Sequence, residues 1–238
     1  MALVIRLGFN LIRLDKVDST NNYLKTLVLQ GCLHKTAVTA DSQTSGRGRQ
    51  GKLFSSPPGG IYISFYYNFA DMKAEFIPFV TPVAAVCAAK AIEETSGRQV
   101  KIKWVNDIYY NDKKISGILT ERVSDTTGFI VGIGINLSDK GIPDELLDKA
   151  GFIDADKEKL LACLLEKMDF TTEIFNNSFV FDYYRKKSYL DGRDVYFTRN
   201  GAYTTGRVLG IDDLCRLAVK TDEGVIYLDS GEVSVKPI

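Results

Sequence analysis

Residues 44-TSGRGRQGKL-53 interleave two arginines and a lysine with three glycines. That combination suits an anion. Guanidinium groups meet phosphate or carboxylate oxygens in charge-assisted pairs, and glycine lets the backbone come close. From Gly46 the segment reads G-x-G-x-x-G, the dinucleotide fingerprint, and equally G-x-x-x-x-G-K, most of a P-loop. Each motif needs a strand before it and a helix after it. The approach, Asp41 to Ser45, is polar, and the exit runs into Pro57-Pro58-Gly59-Gly60, which starts no useful helix. Asp71 stands where a ribose-binding acid would, yet no crossover helix precedes it. Leu53 replaces the Ser or Thr that a P-loop turns toward Mg²⁺. Neither motif holds. Ordering so soft a backbone costs about 1–2 kcal/mol per residue. The segment is therefore expected to be a cationic lid that folds over an anionic ligand, and a solvated basic loop is the bland alternative.

No other cluster announces itself. Cys32, Cys87, Cys163 and Cys215 are scattered, and only His34 could join them as a histidine ligand, so no zinc spacing appears. They read as reduced thiols of a cytoplasmic protein. Lys+Arg and Asp+Glu both total 30, a balance that argues against broad nucleic-acid binding. The apolar N-terminus is broken by Arg6, Gly8 and Arg13, so it predicts a strand, neither membrane span nor signal peptide.

The elements that must position the lid follow from periodicity. A helix is expected over 18–31, with Asp18, Ser19 or Thr20 as cap and Gly31 as stop. Strands are expected at 36–41 and 61–69, and a buried helix over 76–97 with Pro82 in its first turn. Residues 100–123 alternate like paired strands turning at Asn111-Asp112, and 128–137 is a further strand. Residues 157–190 carry helical periodicity through to Tyr189. The order is not regular βαβ alternation, so the fold class is α+β: helices on a mixed, largely antiparallel sheet. From residue 191 the chain becomes short strands with turns at Asn200-Gly201, Asp212-Asp213 and Glu223-Gly224, of a size to close as an SH3-like β-barrel. Two domains are expected, 1–190 and 191–238.

Taken in order, 18-DSTNNYL-24, 43-QTSGRGRQG-51, 60-GIYIS-64, 103-KWVNDIYYNDKKISGILTE-121 and 132-GIGINL-137 resemble the biotin protein ligases over nearly the whole chain. The tail with 230-SGEVSV-235 is similar to that family's C-terminal barrel. The resemblance implies a catalytic domain like that of class II aminoacyl-tRNA synthetases. It also implies a two-step reaction with ATP and biotin as substrates and Mg²⁺ on the phosphates. Biotin's carboxylate attacks the α-phosphate to give biotinyl-5′-AMP and pyrophosphate. A lysine of a biotin carboxyl carrier protein then takes the biotinyl group and releases AMP. There is no room before Leu7 for a helix-turn-helix, so a short ligase without operator binding, membrane or nucleic-acid partner is expected, as monomer or homodimer.

The resemblance also assigns residues. Lys114, Arg49 and Asp107 are the catalytic candidates. Ser19, Thr20, Asn21, Gln43, Arg47, Gly48, Arg49, Lys114, Gly117 and Gly134 would hold biotin. Arg47, Arg49, Lys52, Trp104, Asn106, Lys114 and Asn136 would hold ATP. Several have plainer readings: Ser19 or Thr20 as helix caps, Lys114 as a turn lysine, Asp107 as a hairpin acid, Asn136 as a strand-end residue, Trp104 as core. Two departures stand out: Leu53-Phe54 where the family has Trp-Phe or Trp-x-Ser, and Val105 where it commonly has Pro. The rival chemistry is a lipoate or octanoate ligase, which lacks support in a glycine run after paired arginines. A non-catalytic biotin-sensing module is the rival of a different class.

Overall fold

Strand β1 (Asn10–Val17) and strand β2 (Thr36–Gln43) run parallel, because helix α1 (Thr20–Leu29) carries the chain back between them. The computed structural model describes residues 8–69, 72–123, 128–199, 202–229 and 236–237. Residues 1–7, Asp71, the Asn200-Gly201 turn and the 230–235 stretch lie outside them. The stripe that helical spacing predicts for α1, Leu24, Leu27 and Val28, faces the sheet: Leu24 and Val28 are buried and Leu27 partly so, and Gly31 follows the helix with φ 87°. Ser19 holds the N-cap position, yet its side chain makes no capping bond.

The remaining strands complete a seven-stranded sheet in the order β1-β2-β3-β7-β6-β5-β4. They are β3 (Ile61–Asn68), β4 (Lys101–Lys103), β5 (Asp107–Tyr110), β6 (Lys113–Arg122) and β7 (Gly128–Ile135). All their pairings are antiparallel, so the expected mixed, largely antiparallel sheet is observed. Asn111 and Asp112 turn the β5–β6 hairpin with φ of 48° and 58°, left-handed values that such a two-residue turn requires.

Helix α2 (Val80–Ser96) covers the core face of this sheet, and Gly97 ends it at φ 68°. Ala84, Ala85, Ala88 and Ala89 are fully buried; their small side chains let the helix axis approach its neighbours. The helix starts later than the sequence suggests. Ala74–Phe79 form a 3₁₀ segment around Pro78, because proline supplies no N–H to an α-helical ladder. The 74–96 stretch is long and apolar enough to cross a membrane, but most of it is buried in the protein.

The helical stretch expected to run on to Tyr189 is divided. Helix α3 (Lys157–Lys167) is capped by Asp156, whose carboxylate accepts from the Lys159 amide at 2.9 Å. Helix α4 (Ser178–Lys186) begins after Asn177, whose side chain accepts from the Phe179 amide. A 3₁₀ turn, Thr172–Asn176, separates them. Asn177 competes for the backbone and restarts the helix, a local signal that periodicity alone conceals.

Glu93 of α2 fastens α4 from below. It is bound by the Lys187 ammonium, by the Tyr183 hydroxyl at 2.6 Å and by the Val100 amide at 3.0 Å. Burial pushes its carboxyl pKa up, but those three donors outweigh burial and hold it below the ordinary value. The folded pKa is depressed, so its contribution is present at neutral pH and fades as pH falls below the ordinary glutamate range. Glu93→Ala removes the charge partner of Lys187, which is 12% exposed and keeps only Gln99 Oε1 at 2.6 Å as a hydrogen-bond acceptor, and is expected to cost about 3 kcal/mol. Urea denaturation at pH 7 measures this, and the difference should shrink at acid pH.

The last strands form a separate antiparallel sheet in the order β11-β10-β9-β8-β12. They are β8 (Asp194–Arg199), β9 (Ala202–Ile211), β10 (Leu217–Thr221), β11 (Gly224–Leu228) and β12 (Lys236–Pro237). Val195, Phe197, Leu217 and Val219 are buried in a cluster continuous with the main core. Across that junction the Trp104 indole N–H donates to the Cys215 carbonyl at 2.9 Å.

Candidate functional site

The cleft opens on the sheet face opposite α2, where three positions on two strands lack side chains. Gly117 of β6 pairs with Gly134 of β7, and Gly132 lies two residues along. Their bareness is used. A Cβ on Gly132 would stand 2.1 Å from Asn21 Oδ1, and one on Gly134 would stand 2.4 Å from the Phe54 ring.

At one end α1 delivers a buried polar group. The Thr20 amide donates to Gln43 Oε1 at 2.8 Å, and the Thr20 hydroxyl oxygen lies 3.1 Å from the same atom. Gln43 Nε2 donates to Ser56 Oγ at 2.7 Å. Ser64 Oγ lies 2.8 Å from Thr20 Oγ1 and 2.6 Å from Asn21 Oδ1, and Asn21 Nδ2 donates to Glu121 at 2.7 Å. Buried polar atoms must be paired, so this chain specifies donor and acceptor positions at that end of the cleft.

Across the top lies the lid. The sequence predicts a soft cationic loop that can fold over an anionic ligand, and here the segment forms a small hairpin, closed by Gly48 N–H to Lys52 O at 2.7 Å and Phe54 N–H to Gly46 O at 2.8 Å. Gln50 and Gly51, both at positive φ (55° and 73°), make its tight tip. Such a turn needs few residues and its own backbone bonds offset part of the ordering cost. Arg47 reaches Asn22 Oδ1 at 2.8 Å and Glu121 at 3.6 Å. Arg49 points inward to Asn106 Oδ1 at 3.3 Å. Burial lowers its pKa, countered by Asp107, but a guanidinium stays charged regardless.

Lys114 and Asp107 close the other end. The Lys114 ammonium is 2.7 Å from Asp107 Oδ1. That oxygen has no partner in hydrogen-bond geometry, so the contact is an ion pair rather than a directed bond. Two features aim Lys114: a bulge in the β5–β6 pairing at Ile108/Tyr109, and backbone bonds to Lys149 and Gly151 at 2.9 and 2.8 Å. Its ammonium lies 5.7 Å from the Phe54 ring centroid. Asn106 holds the preceding turn by exchanging bonds with the Ile118 backbone.

Most of the residues singled out from the sequence therefore line one cleft: Ser19, Thr20, Asn21, Gln43, Arg47, Gly48, Arg49, Lys52, Asn106, Asp107, Lys114, Gly117 and Gly134. Trp104 and Asn136 do not. Trp104 is 5% exposed and bonded to the C-terminal sheet, and Asn136 donates its amide to Gly151 O at 3.0 Å. Sequence reasoning missed Phe54, Ile118, Leu119 and Ile133 in the wall, and Ser64, Ser56 and Glu121 behind it. A serine within the apolar run 61-IYISFYYNF-69 was a usable signal. Among the described residues no group of three or more His, Cys, Asp or Glu side chains could hold a metal. The thiols of Cys87 and Cys215 are pushed up to about 12 by burial.

A cleft with a cationic lid, a lysine–aspartate pair and a glycine-bared strand is what an acid-activating ligase needs, and comparison with known proteins agrees. The Biotin/lipoate A/B protein ligase family matches residues 14–138, and the biotin protein ligase C-terminal domain matches residues 192–236. The chain belongs to the biotin/lipoate A/B protein ligase family. It is 32% identical to the bifunctional ligase/repressor BirA of Bacillus subtilis over 96% of this chain and 75% of that protein. To BirA of Escherichia coli it is 28% identical, with 96% and 75% covered. The biotin protein ligase from Aquifex aeolicus in complex with biotin and ATP superposes with a TM-score of 0.84, at 31% identity, over 96% of this chain and 99% of that one.

Proposed function

We propose that the protein is an ATP-dependent biotin protein ligase. The observation that carries this is the meeting, in one cleft, of the lid arginine Arg49 and Lys114 with the polar α1 end and the bare β7 strand. Two anions must approach each other in the first step, and fixed cations relieve their repulsion. Arg49 and Lys114 stand on either side of the point where biotin's carboxylate oxygen would attack the α-phosphate and pyrophosphate would leave. Biotin's ring would lie toward Ser19, Thr20, Asn21 and Gln43, against Gly132 and Gly134. The nucleotide would lie under Lys52 and toward Asn106, with Asn136 and Trp104 supporting rather than touching it.

In the second step the amine of a carrier lysine attacks the acyl carbon of the mixed anhydride, AMP leaves, and the amine loses a proton. Asp107, released from Lys114, is the acceptor that orients that amine. Mg²⁺ would travel on the ATP phosphates, which is its usual mode of binding. Asp107 is the cleft carboxylate beside Lys114, and among the described residues no cluster of metal-ligating side chains competes.

The partner is a biotin carboxyl carrier protein in the cytoplasm, and the enzyme acts as monomer or homodimer without nucleic acid. Residues 1–190 form the catalytic domain of class II synthetase type, and 191–238 an SH3-like barrel. The match to a biotin-specific C-terminal domain favours biotin over lipoate. ATP–pyrophosphate exchange with biotin, lipoate and octanoate tests the reading. Exchange with biotin alone is expected, and exchange driven by lipoate or octanoate instead overturns it.

Gly132→Ala adds a methyl where Asn21 Oδ1 stands 2.1 Å away. Asn21 must leave Ser64, and biotin affinity is expected to fall at least about tenfold, as one lost hydrogen bond to a buried acceptor predicts. Isothermal titration with biotin measures it.

A further inference from the structure

We infer that Glu121 is a latch that ties the lid to the polar end of the cleft, a positioning residue for the reaction proposed above, on which this inference rests. Glu121 closes β6, whose other end carries Lys114. Its carboxylate has two partners from different elements. One oxygen accepts from Asn21 Nδ2 at 2.7 Å, and the other lies 3.6 Å from Arg47 of the lid. The side chain is 29% exposed, so these contacts are sheltered rather than fully screened.

The first contact sets an orientation. A carboxylate only accepts, so the Asn21 amide must turn its NH₂ toward Glu121 and its carbonyl oxygen away. Asn21 Oδ1 then accepts from Ser64 Oγ at 2.6 Å. That spends the single Ser64 proton, so in the 2.8 Å contact between Ser64 and Thr20 the Thr20 hydroxyl is the donor, and Gln43 Oε1 is left to the Thr20 amide. Glu121 thus fixes the proton direction along Asn21, Ser64 and Thr20. The second contact sets a position. Arg47 is spent on Glu121 and Asn22, both on the protein, while Arg49 two residues on faces Asn106 and Asp107. The two lid arginines therefore divide the work: Arg47 fastens the lid, and Arg49 meets the reacting groups. Since Asn21 and Arg47 share one anchor, an ordered polar end and a fastened lid support each other.

Glu121→Gln, Arg47→Ala and the double variant separate the two contacts. Glu121→Gln is expected to speed biotinyl-AMP release about tenfold and to raise the KM for biotin about tenfold. Arg47→Ala is expected to speed release by a similar factor and to raise the biotin KM by less than Glu121→Gln does. The double variant should release the adenylate no faster than Glu121→Gln alone, since both break one contact. Additive effects on release, or a wild-type KM in Glu121→Gln, would overturn the latch. A second measurement needs no ligand: trypsin should cut after Arg47, Arg49 or Lys52 several-fold faster in the intact Glu121→Gln protein, and unchanged cutting counts against the latch whatever the substrate. Absence of biotin-dependent exchange in the wild type would instead remove the ligase reading and leave the trypsin result standing.

Discussion

Lys114→Ala is expected to slow adenylate formation by about 10²–10³-fold, the usual effect of deleting one preorganised charge at a developing anion. Lys114 is aimed by a β-bulge and by two backbone bonds to residues 149 and 151, so its ammonium pays little reorganisation when the carboxylate meets the phosphate. The same deletion removes the nearest counter-ion of Asp107, 22% exposed beside the reacting centre, and leaves only Arg49 to face it. A negative charge there now repels both substrates, which adds to the loss. Biotin's ring contacts lie at the other end of the cleft, so free biotin binding should change by less than about threefold. Single-turnover formation of biotinyl-AMP, set beside biotin titration, reads both. Equal losses in the two would assign Lys114 a purely structural part. Lys114→Ala/Asp107→Asn should recover part of the rate, because the stranded carboxylate is gone.

Arg49→Gly is expected to act on the opposite side of the reaction, on keeping the intermediate rather than making it. A mixed anhydride hydrolyses in water, and a lid that excludes solvent preserves it until the acceptor arrives. Arg49 is the half-buried lid cation, held to Asn106 at 3.3 Å and facing Asp107. Its loss removes a charge-assisted contact of about 1.5–3 kcal/mol and adds a flexible residue beside Gly48. Adenylate release should rise by roughly 10–100-fold. Released biotinyl-AMP acylates exposed amines, so unrelated proteins in the same tube should acquire biotin on lysine. Streptavidin blots of added bystander protein, with and without carrier, provide the measurement. If the variant holds the adenylate as firmly as the wild type, the lid does not retain it.

Much of this was legible before any fold was known. The lid announced itself through Gly46, Arg47, Gly48 and Arg49, because alternating charge and glycine has few other uses. The strand and helix order followed from periodicity, and Asn111-Asp112 marked its hairpin because those residues tolerate positive φ. Three things were not legible. The breaks at Pro78 and Asn177 hid inside apolar periodicity, where a local cap or a missing N–H outweighs the pattern. The lid's own hairpin bonds were not foreseen, since a loop rich in glycine looks unstructured until its tip is seen. Phe54 read as a departure from a family pattern, whereas it covers Gly134 and Gly117 as a wall.

The amino-acid sequence alone determined which chemistry is available: cations on a flexible segment, a lysine and an acid in one hairpin, and a glycine-bared strand. It did so because residue type and spacing are local properties. Only the tertiary structure decided which of these groups meet. It brought Asp107 to Lys114 across a bulge, Glu121 to Asn21 and Arg47 from three elements, and withheld Trp104 and Asn136, which face the core. Such meetings depend on strand register and side-chain direction, and a single-residue shift of β6 would turn Lys114 and Glu121 to the other face of the sheet, away from their partners.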